Sequence, residues 1–163
     1  MLRAASDDDV DTIRRLRNQQ ANRDVSITSH EIGAAEHAAW WAKASVDPAR
    51  RVLIYVRDGG TAGVVNFFDL DGPTGSWGFF LDADGLAERG ETLPAWIEVM
   101  REATAYAFDV LGLDLLTGEV LEHNTVVRQM NRRFRFVEGM AEPRGAVTVI
   151  PISLRREDRR PSR

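Results

Sequence analysis

The stretch VLEHNTVVRQMNRRFRF, Val120–Phe136, decides how the rest of the chain is read. Val120 and Leu121 close an apolar strand that begins at Leu115. His123 or Asn124 then caps a helix, because a short polar side chain at that point accepts from backbone amides that have no partner inside the helix. The helix is amphipathic. It carries Arg128, Arg132 and Arg133, with Arg135 just beyond, and it places a polar Asn131 among apolar neighbours before Phe136 opens another strand.

Upstream of this stretch lies the strongest helical signal in the chain. Leu93, Trp96, Ile97, Met100, Thr104, Ala107, Phe108 and Leu111 recur at spacings of three and four, and Gly112 supplies the stop. The preceding DADGLAERGETLP reads as a polar loop. Before it, Val52–Arg57, Gly63–Leu70 and Ser76–Leu81 are β-rich runs separated by DGG and DGPTG, which predicts an antiparallel meander. Leu2–Ala5 reads as a short strand. Ser6 and three Asp start a helix through Val10, Ile13 and Leu16, and a second helix covers Ala34–Ser45 with Trp40 and Trp41. Phe136–Gly139 and Ala146–Leu154 supply the last strands, and residues 155–163, ending RREDRRPSR, read as a charged mobile tail. The strand, long helix and strand from 76 to 121 must form a parallel unit, whereas the hairpins are antiparallel. The expected fold is therefore α/β (α+β), with one domain over residues 1–154. It is built on a mixed, mainly antiparallel twisted sheet of six or seven strands, with helices on both faces.

The chain has 163 residues, a net charge of −4 and no cysteine. One domain with a real core fits that length. Disulfides and thiolate metal sites are excluded. A nucleic-acid partner is not expected from a mildly acidic chain, and the arginines of the 128–135 helix read as a solvated face. No leader and no run of about 18 apolar residues is visible, so a cytoplasmic protein with no membrane partner is expected. His30, His37 and His123 lack metal-ligand spacing, so no metal is expected; His37 reads as a surface helix residue.

Within this framework, WGFFLDADGLAERGETLPAWIEVM through GEVLEHNTVVRQMNRRFRFVEG resembles the GNAT superfamily of acyl-CoA N-acyltransferases. That superfamily shows a strand, pyrophosphate loop, helix and strand, followed by Asn, helix and Gly-Phe. The look is similar to its amino-sugar branch, the type found in the pseudaminic-acid pathway. There, GVVNFFDL and GEVLEHN have counterparts on the third and fifth strands. The resemblance implies acetyl-CoA as cofactor and a primary amine of a small molecule, such as an amino sugar, as acceptor. A homodimer stays open, since such folds often pair.

The same resemblance distributes roles along the chain. Phe79, Phe80 and Leu81 on the fourth strand would carry the coenzyme arm, with a backbone amide there facing the thioester oxygen. Arg89, Gly90, Glu91, Thr92 and Leu93 would form the pyrophosphate loop at a helix N-terminus, where unpaired amides attract anions. Thr92 and Pro94 stand where the family has small residues, and Pro94 has no amide to offer. Asn124 would contact the arm, and Arg133 would reach the nucleotide's phosphates. Asn131 occupies the position of the family's acidic Tyr; an amide can donate a hydrogen bond to a thiolate but has no proton to release. Arg135 replaces the glycine before Phe. For the amine's proton, Glu119 is the candidate, equally as base or as a carboxylate that fixes the acceptor. Glu122 falls on the opposite face, and Asp82, Asp69 and His30 follow as further candidates. His30, Trp41, Asn66, Phe68 and Trp77, with Trp40, would wall the acceptor cleft. Two other functions remain open: an impaired acyl-CoA-binding module, suggested by Pro94, Asn131 and Arg135, and a protein or peptide N-acetyltransferase.

Overall fold

A computed structural model of the chain describes residues 1–159. It contains one mixed sheet in the order β1-β2-β3-β4-β5-β8-β6, with β7 also pairing β8. The strands are β1 (Leu2–Ala4), β2 (Arg51–Arg57), β3 (Gly60–Asp71), β4 (Thr74–Leu81), β5 (Leu115–Leu121), β6 (Val137–Glu138), β7 (Glu142–Arg144) and β8 (Val147–Arg155). Every pairing is antiparallel except β4 with β5. The helices are α1 (Val10–Arg17), α2 (Gln20–Asp24), α3 (Ala34–Ala44), α4 (Ala83–Glu88), α5 (Thr92–Ala105) and α6 (Thr125–Arg133). Strand count exceeds the expected seven because Glu142–Arg144 forms β7, a fully exposed edge strand with no apolar pattern to announce it.

Alternation along the strands sorts two cores onto two faces. Leu53, Tyr55, Val65, Phe67, Trp77, Leu81, Leu116 and Val120 point to the face covered by α4, α5 and α6, where Val99, Met100, Ala103 and Met130 are buried with them. Val52, Ile54 and Val64 point the other way and meet Ile13, Leu16 and Ala44 of α1 and α3, with Trp40 and Trp41 beside them. His37 belongs to this second layer. It is only 4% exposed and its ring lies tilted against Trp40, with centroids 5.1 Å apart, a correction to its reading as a surface residue. Burial, then the nearby Arg14, hold its pKa below the usual imidazole value.

Three local departures have physical causes. DADGLAERG is a short helix rather than a loop: Asp82 caps it by accepting from the Gly85 amide at 3.2 Å, and Leu86 anchors it in the core. With a single buried leucine in six residues, no periodicity could show. The long helix ends in a π-helical turn, Tyr106–Val110, closed by the Leu111 amide on the Tyr106 carbonyl before Gly112 turns the chain at φ 72°. At the end of α6 the backbone forms a Schellman motif. The Phe136 amide bonds Asn131 O, the Arg135 amide bonds Arg132 O, and Arg135 itself takes the left-handed conformation, φ 69°. The glycine-free turn is thus kept, at a backbone cost of about 1–2 kcal/mol. Arg155 finishes β8, and Arg156 and Arg159, expected in the tail, dock by pairing with Asp114 at 3.2 Å and Asp109 at 2.8 Å. Residues 160–163 lie outside the described residues.

Candidate active site

β4 and β5 pair only at Thr74–Leu115, Gly75–Leu116 and Ser76–Thr117. Beyond that point they splay, leaving Trp77–Leu81 and Gly118–Leu121 without each other. The phase of the neighbouring ladder fixes what β4 presents to the gap. The Asp82 amide donates to Ala62 O at 2.8 Å, so alternate residues, Phe79 and Leu81 among them, turn their backbone groups away from β3 and toward the missing partner.

The gap opens on a cleft of about 340 Å³. Of the residues expected at a site, Trp77, Phe79, Phe80, Leu81, Thr92, Glu119, Asn124 and Asn131 all line it. Its floor is aromatic: Trp77 stacks on Phe79 at 5.4 Å and on Phe136 at 5.8 Å, while Phe79 meets Trp96 edge-on at 6.3 Å. Trp77 is 5% exposed and is therefore mostly core. Asn124 caps α6 by accepting from the Val127 amide at 3.4 Å. Asn131, one turn and more along, is only 3% exposed, yet its side-chain amide has no hydrogen-bond partner in the protein. Its place on the cleft wall leaves that amide open to a bound ligand.

The far wall of the cleft went unread in the sequence. Ala21, Asn22, Val25 and Ser26, in and after α2, close it. Asn22 is buried and donates to Leu16 O and Leu81 O, each at 2.8 Å, which ties α2 to the splayed end of β4. Gln19 reinforces the tie through Asp82 and the Ala83 amide, both at 2.7 Å. His123 reaches across from the end of β5 to Asp24 O at 3.3 Å.

A second cleft, about 390 Å³, lies on the uncovered part of the α1/α3 face. Phe68, Asp69, Ser76, Thr117, Glu119, Glu142 and Ser153 surround it. Glu119 is common to both clefts, and Arg144 holds its carboxylate by a short ion pair. Asp69 sits at φ 50° in the irregular end of β3, a strained conformation for a residue with a side chain.

The remaining expected residues are placed elsewhere. His30 pairs with Glu36 at 3.0 Å on an exposed loop, Trp41 donates to Asp7 at 2.8 Å, and Asn66 accepts from Arg50 at 3.1 Å; none of them lines either cleft. Arg133 is exposed at the last turn of α6, away from both clefts. Arg128 and Arg132 are engaged with Glu138, at 2.9 and 3.2 Å, and their hydrogen bonds hold its pKa down to about 2. At the other end of the first cleft, Gly90 (φ 66°) turns the chain from α4 into α5. There Arg89 donates to Glu91 at 3.0 Å, and Thr92 and Leu93 present amides that the helix leaves free, with Pro94 offering none. Among the described residues no helix is long and apolar enough to cross a membrane, and no cluster of side chains could hold a metal ion.

Residues 1–137 match the family model of the Acetyltransferase (GNAT) domain. No curated protein matches the sequence. Among solved structures, the fold is similar to the spermidine N-acetyltransferase of Vibrio cholerae in complex with CoA and spermine. That similarity has a TM-score of 0.80 at 16% identity, over 97% of this chain and 96% of that one. It is also similar to the N-acetyltransferase PseH of Campylobacter jejuni in complex with acetyl coenzyme A, with a TM-score of 0.66 at 14% identity over 96% and 99% of the two chains. The first is named for spermidine and the second carries no amine in its name, so the shared fold does not choose an acceptor. With a family match over most of its length and two strands that splay apart beside a cleft, the chain belongs to the GNAT family of acetyl-CoA-dependent N-acetyltransferases.

Proposed function

We propose that this protein transfers the acetyl group of acetyl-CoA to a primary amine of a small hydroxylated molecule, such as an amino sugar, by direct attack with both substrates bound. The observation that carries the reading is Glu119, which stands where the two clefts meet. One cleft is narrow, aromatic and edged by unpaired strand; the other is polar. A coenzyme arm suits the first, since an extended chain can add to the open edge of β4. The second offers one aromatic ring, three hydroxyls and three carboxylates, a set suited to a hydroxylated cation.

Acetyl-CoA, when bound, supplies an activated acyl thioester. Everything else falls to the chain. The Phe79 and Leu81 amides polarise the acyl oxygen, and such preorganised donors are commonly worth about 10²-fold or more in rate. Phe80 and Asn124 flank the arm. Thr92, Leu93, Gly90 and Arg89 receive phosphate at the start of α5, with Glu91 in their midst. Asn131 donates a hydrogen bond from its free amide N–H to the departing sulfur. An ordinary thiol has a pKa of about 8.5, so hydrogen bonding without proton donation is enough help for it to leave. Glu119 faces the amine and takes its proton or fixes its position, and Arg144 holds the carboxylate at the rim.

A second reading, a GNAT module that binds acyl-CoA without turning it over, is favoured by Glu91 and Pro94 at the phosphate end. The test has two steps. Thermal unfolding with acetyl-CoA and with CoA comes first: a ligand at 100 times its Kd adds about 2.7 kcal/mol to the folded state, which raises the midpoint by several degrees. Thiol release with a panel of amino sugars, polyamines and peptides follows. Release with an amino sugar supports the proposal. A midpoint shift with no release from any amine supports the binding module, and no shift at millimolar ligand overturns both.

A further inference from the structure

The phosphate end of the first cleft already contains an anion. Glu91 directs Oε2 at Arg89 Nε, 3.0 Å away, and the same oxygen lies 3.9 Å from Nε of Arg57 on the inner side. The two guanidinium groups differ in what they still have to give. Arg89 is half exposed. Arg57 ends β2 and ion-pairs through Nη1 with Glu98, which also accepts from Tyr55 at 2.7 Å; its Nε is buried and makes no hydrogen bond. The exposed Asp58 is slightly nearer to that Nε than Glu91 is, at 3.7 Å, yet it too makes no hydrogen bond to it. The backbone of Glu91 is fixed at both ends, its amide on Leu86 O and its carbonyl on the Ala95 amide. Only its side chain is free to move.

We propose that Glu91 is a built-in competitor for the phosphate seat, and that it yields to the coenzyme's pyrophosphate by passing its carboxylate from Arg89 to the unused Nε of Arg57. The inference rests on the reading of the α4–α5 turn as the phosphate site. The move is small, because closing 3.9 Å to an ordinary N–H···O distance needs about 1 Å. It also settles two problems at once. A carboxylate left beside an incoming pyrophosphate would repel it, and a buried guanidinium N–H without an acceptor is costly. Transfer frees Arg89 for the phosphate, lessens the first and satisfies the second. Glu91 thereby sets how tightly the nucleotide half of the coenzyme is held while leaving the thioester half alone.

The experiment is calorimetric titration of CoA into the wild type, Glu91→Gln, Arg57→Lys and the double variant. KM for S-acetylpantetheine, which keeps the thioester arm and lacks the pyrophosphate, is measured on the same four proteins. Glu91→Gln should tighten CoA by about two- to fivefold, the size of one helix-terminal charge or surface ion pair. Arg57→Lys keeps a cation for Glu98 but removes the receiving Nε, and should weaken CoA by about twofold or more; that loss should vanish once position 91 is Gln. S-acetylpantetheine should respond to none of the changes. CoA binding that is unchanged or weaker in Glu91→Gln, or an equal effect on S-acetylpantetheine, overturns the inference and leaves the cofactor site in place. Failure of CoA to bind any of the four proteins overturns the cofactor reading itself, and the inference with it.

Discussion

The two halves of the β4–β5 pair are made of the same strands and behave oppositely. In the closed half, Gly75 and Ser76 lie against Leu116 and Thr117, and Ser76 Oγ meets Thr117 Oγ1 at 2.8 Å. In the open half, Trp77 and Phe79 place stacked rings beside the gap, and the backbone groups that would have paired face a cleft. Backbone hydrogen bonds hold one half; side chains brace the other. Asn22 grips Leu81 O, His123 reaches Asp24 O, and Arg128 and Arg132 clamp α6 to Glu138 on β6. The lesson is that the site is made by withholding strand pairing where binding is wanted, and that polar side chains must then do the work of keeping the walls apart and in place.

The largest effect is expected where the open half meets the second cleft. Glu119→Gln should lower kcat/KM with an amine acceptor by about 10²-fold at neutral pH, within the usual range for a positioned base. If Glu119 takes the proton, raising the pH should recover part of the loss, because the free amine is then already deprotonated. If it only fixes the acceptor, the loss should appear in KM and should not recover. An unchanged rate would remove Glu119 from the chemistry.

A smaller effect, on stability, tests the closed half. A Cβ on Gly75 would stand 2.6 Å from Leu70 Cδ2 and 3.0 Å from Leu113 Cδ1. Gly75→Val should therefore cost about 1–3 kcal/mol by overpacking, read as a lower denaturant midpoint with unchanged m. Three residues on, a Cβ at Gly78 would meet nothing within 4 Å. Gly78→Ala should stay within about 0.5 kcal/mol. Equal costs at the two glycines would mean that the halves do not differ in packing as described.

How much of this was legible in the sequence follows the same division. Strands and the long helix showed themselves because burial repeats along them: Trp77, Phe79 and Leu81 on β4, or Val99, Met100 and Ala103 on α5, need only local period. Asn124 and Asn131 were found because one lies at a helix start and the other breaks an apolar stripe. What stayed hidden depends on pairing across distance. Asn22 matters through Leu81, fifty-nine residues away, and Glu119 is held by Arg144, twenty-five away. Glu91 could be placed on the loop, whereas its position between Arg89 and Arg57 could not. His30, Trp41 and Asn66 had suitable chemistry, but the fold gives them other partners, Glu36, Asp7 and Arg50.

The smallest effect concerns the clamp on the open half, and its sign follows from Glu138. Hydrogen bonds from Arg128, then from Arg132, lower its pKa from 4.5 to about 2. The folded state therefore binds a proton less readily than the unfolded chain does. Stability from the clamp is fully present above the unfolded value and is lost as pH falls through the window down to about 2. Glu138→Gln should cost about 0.5–1 kcal/mol at pH 7, the scale of a partly exposed charge network. The difference between the two proteins should hold steady from neutral pH to about 5 and then shrink as the wild type is protonated. Because the clamp positions the helix that carries Asn131, the variant should also lose more affinity for acetyl-CoA than stability alone accounts for. Equal affinities at 25 °C would show that α6 is held instead by its buried Met130 and by Phe136 just beyond its end, and that the open half needs less bracing than its exposed backbone suggests.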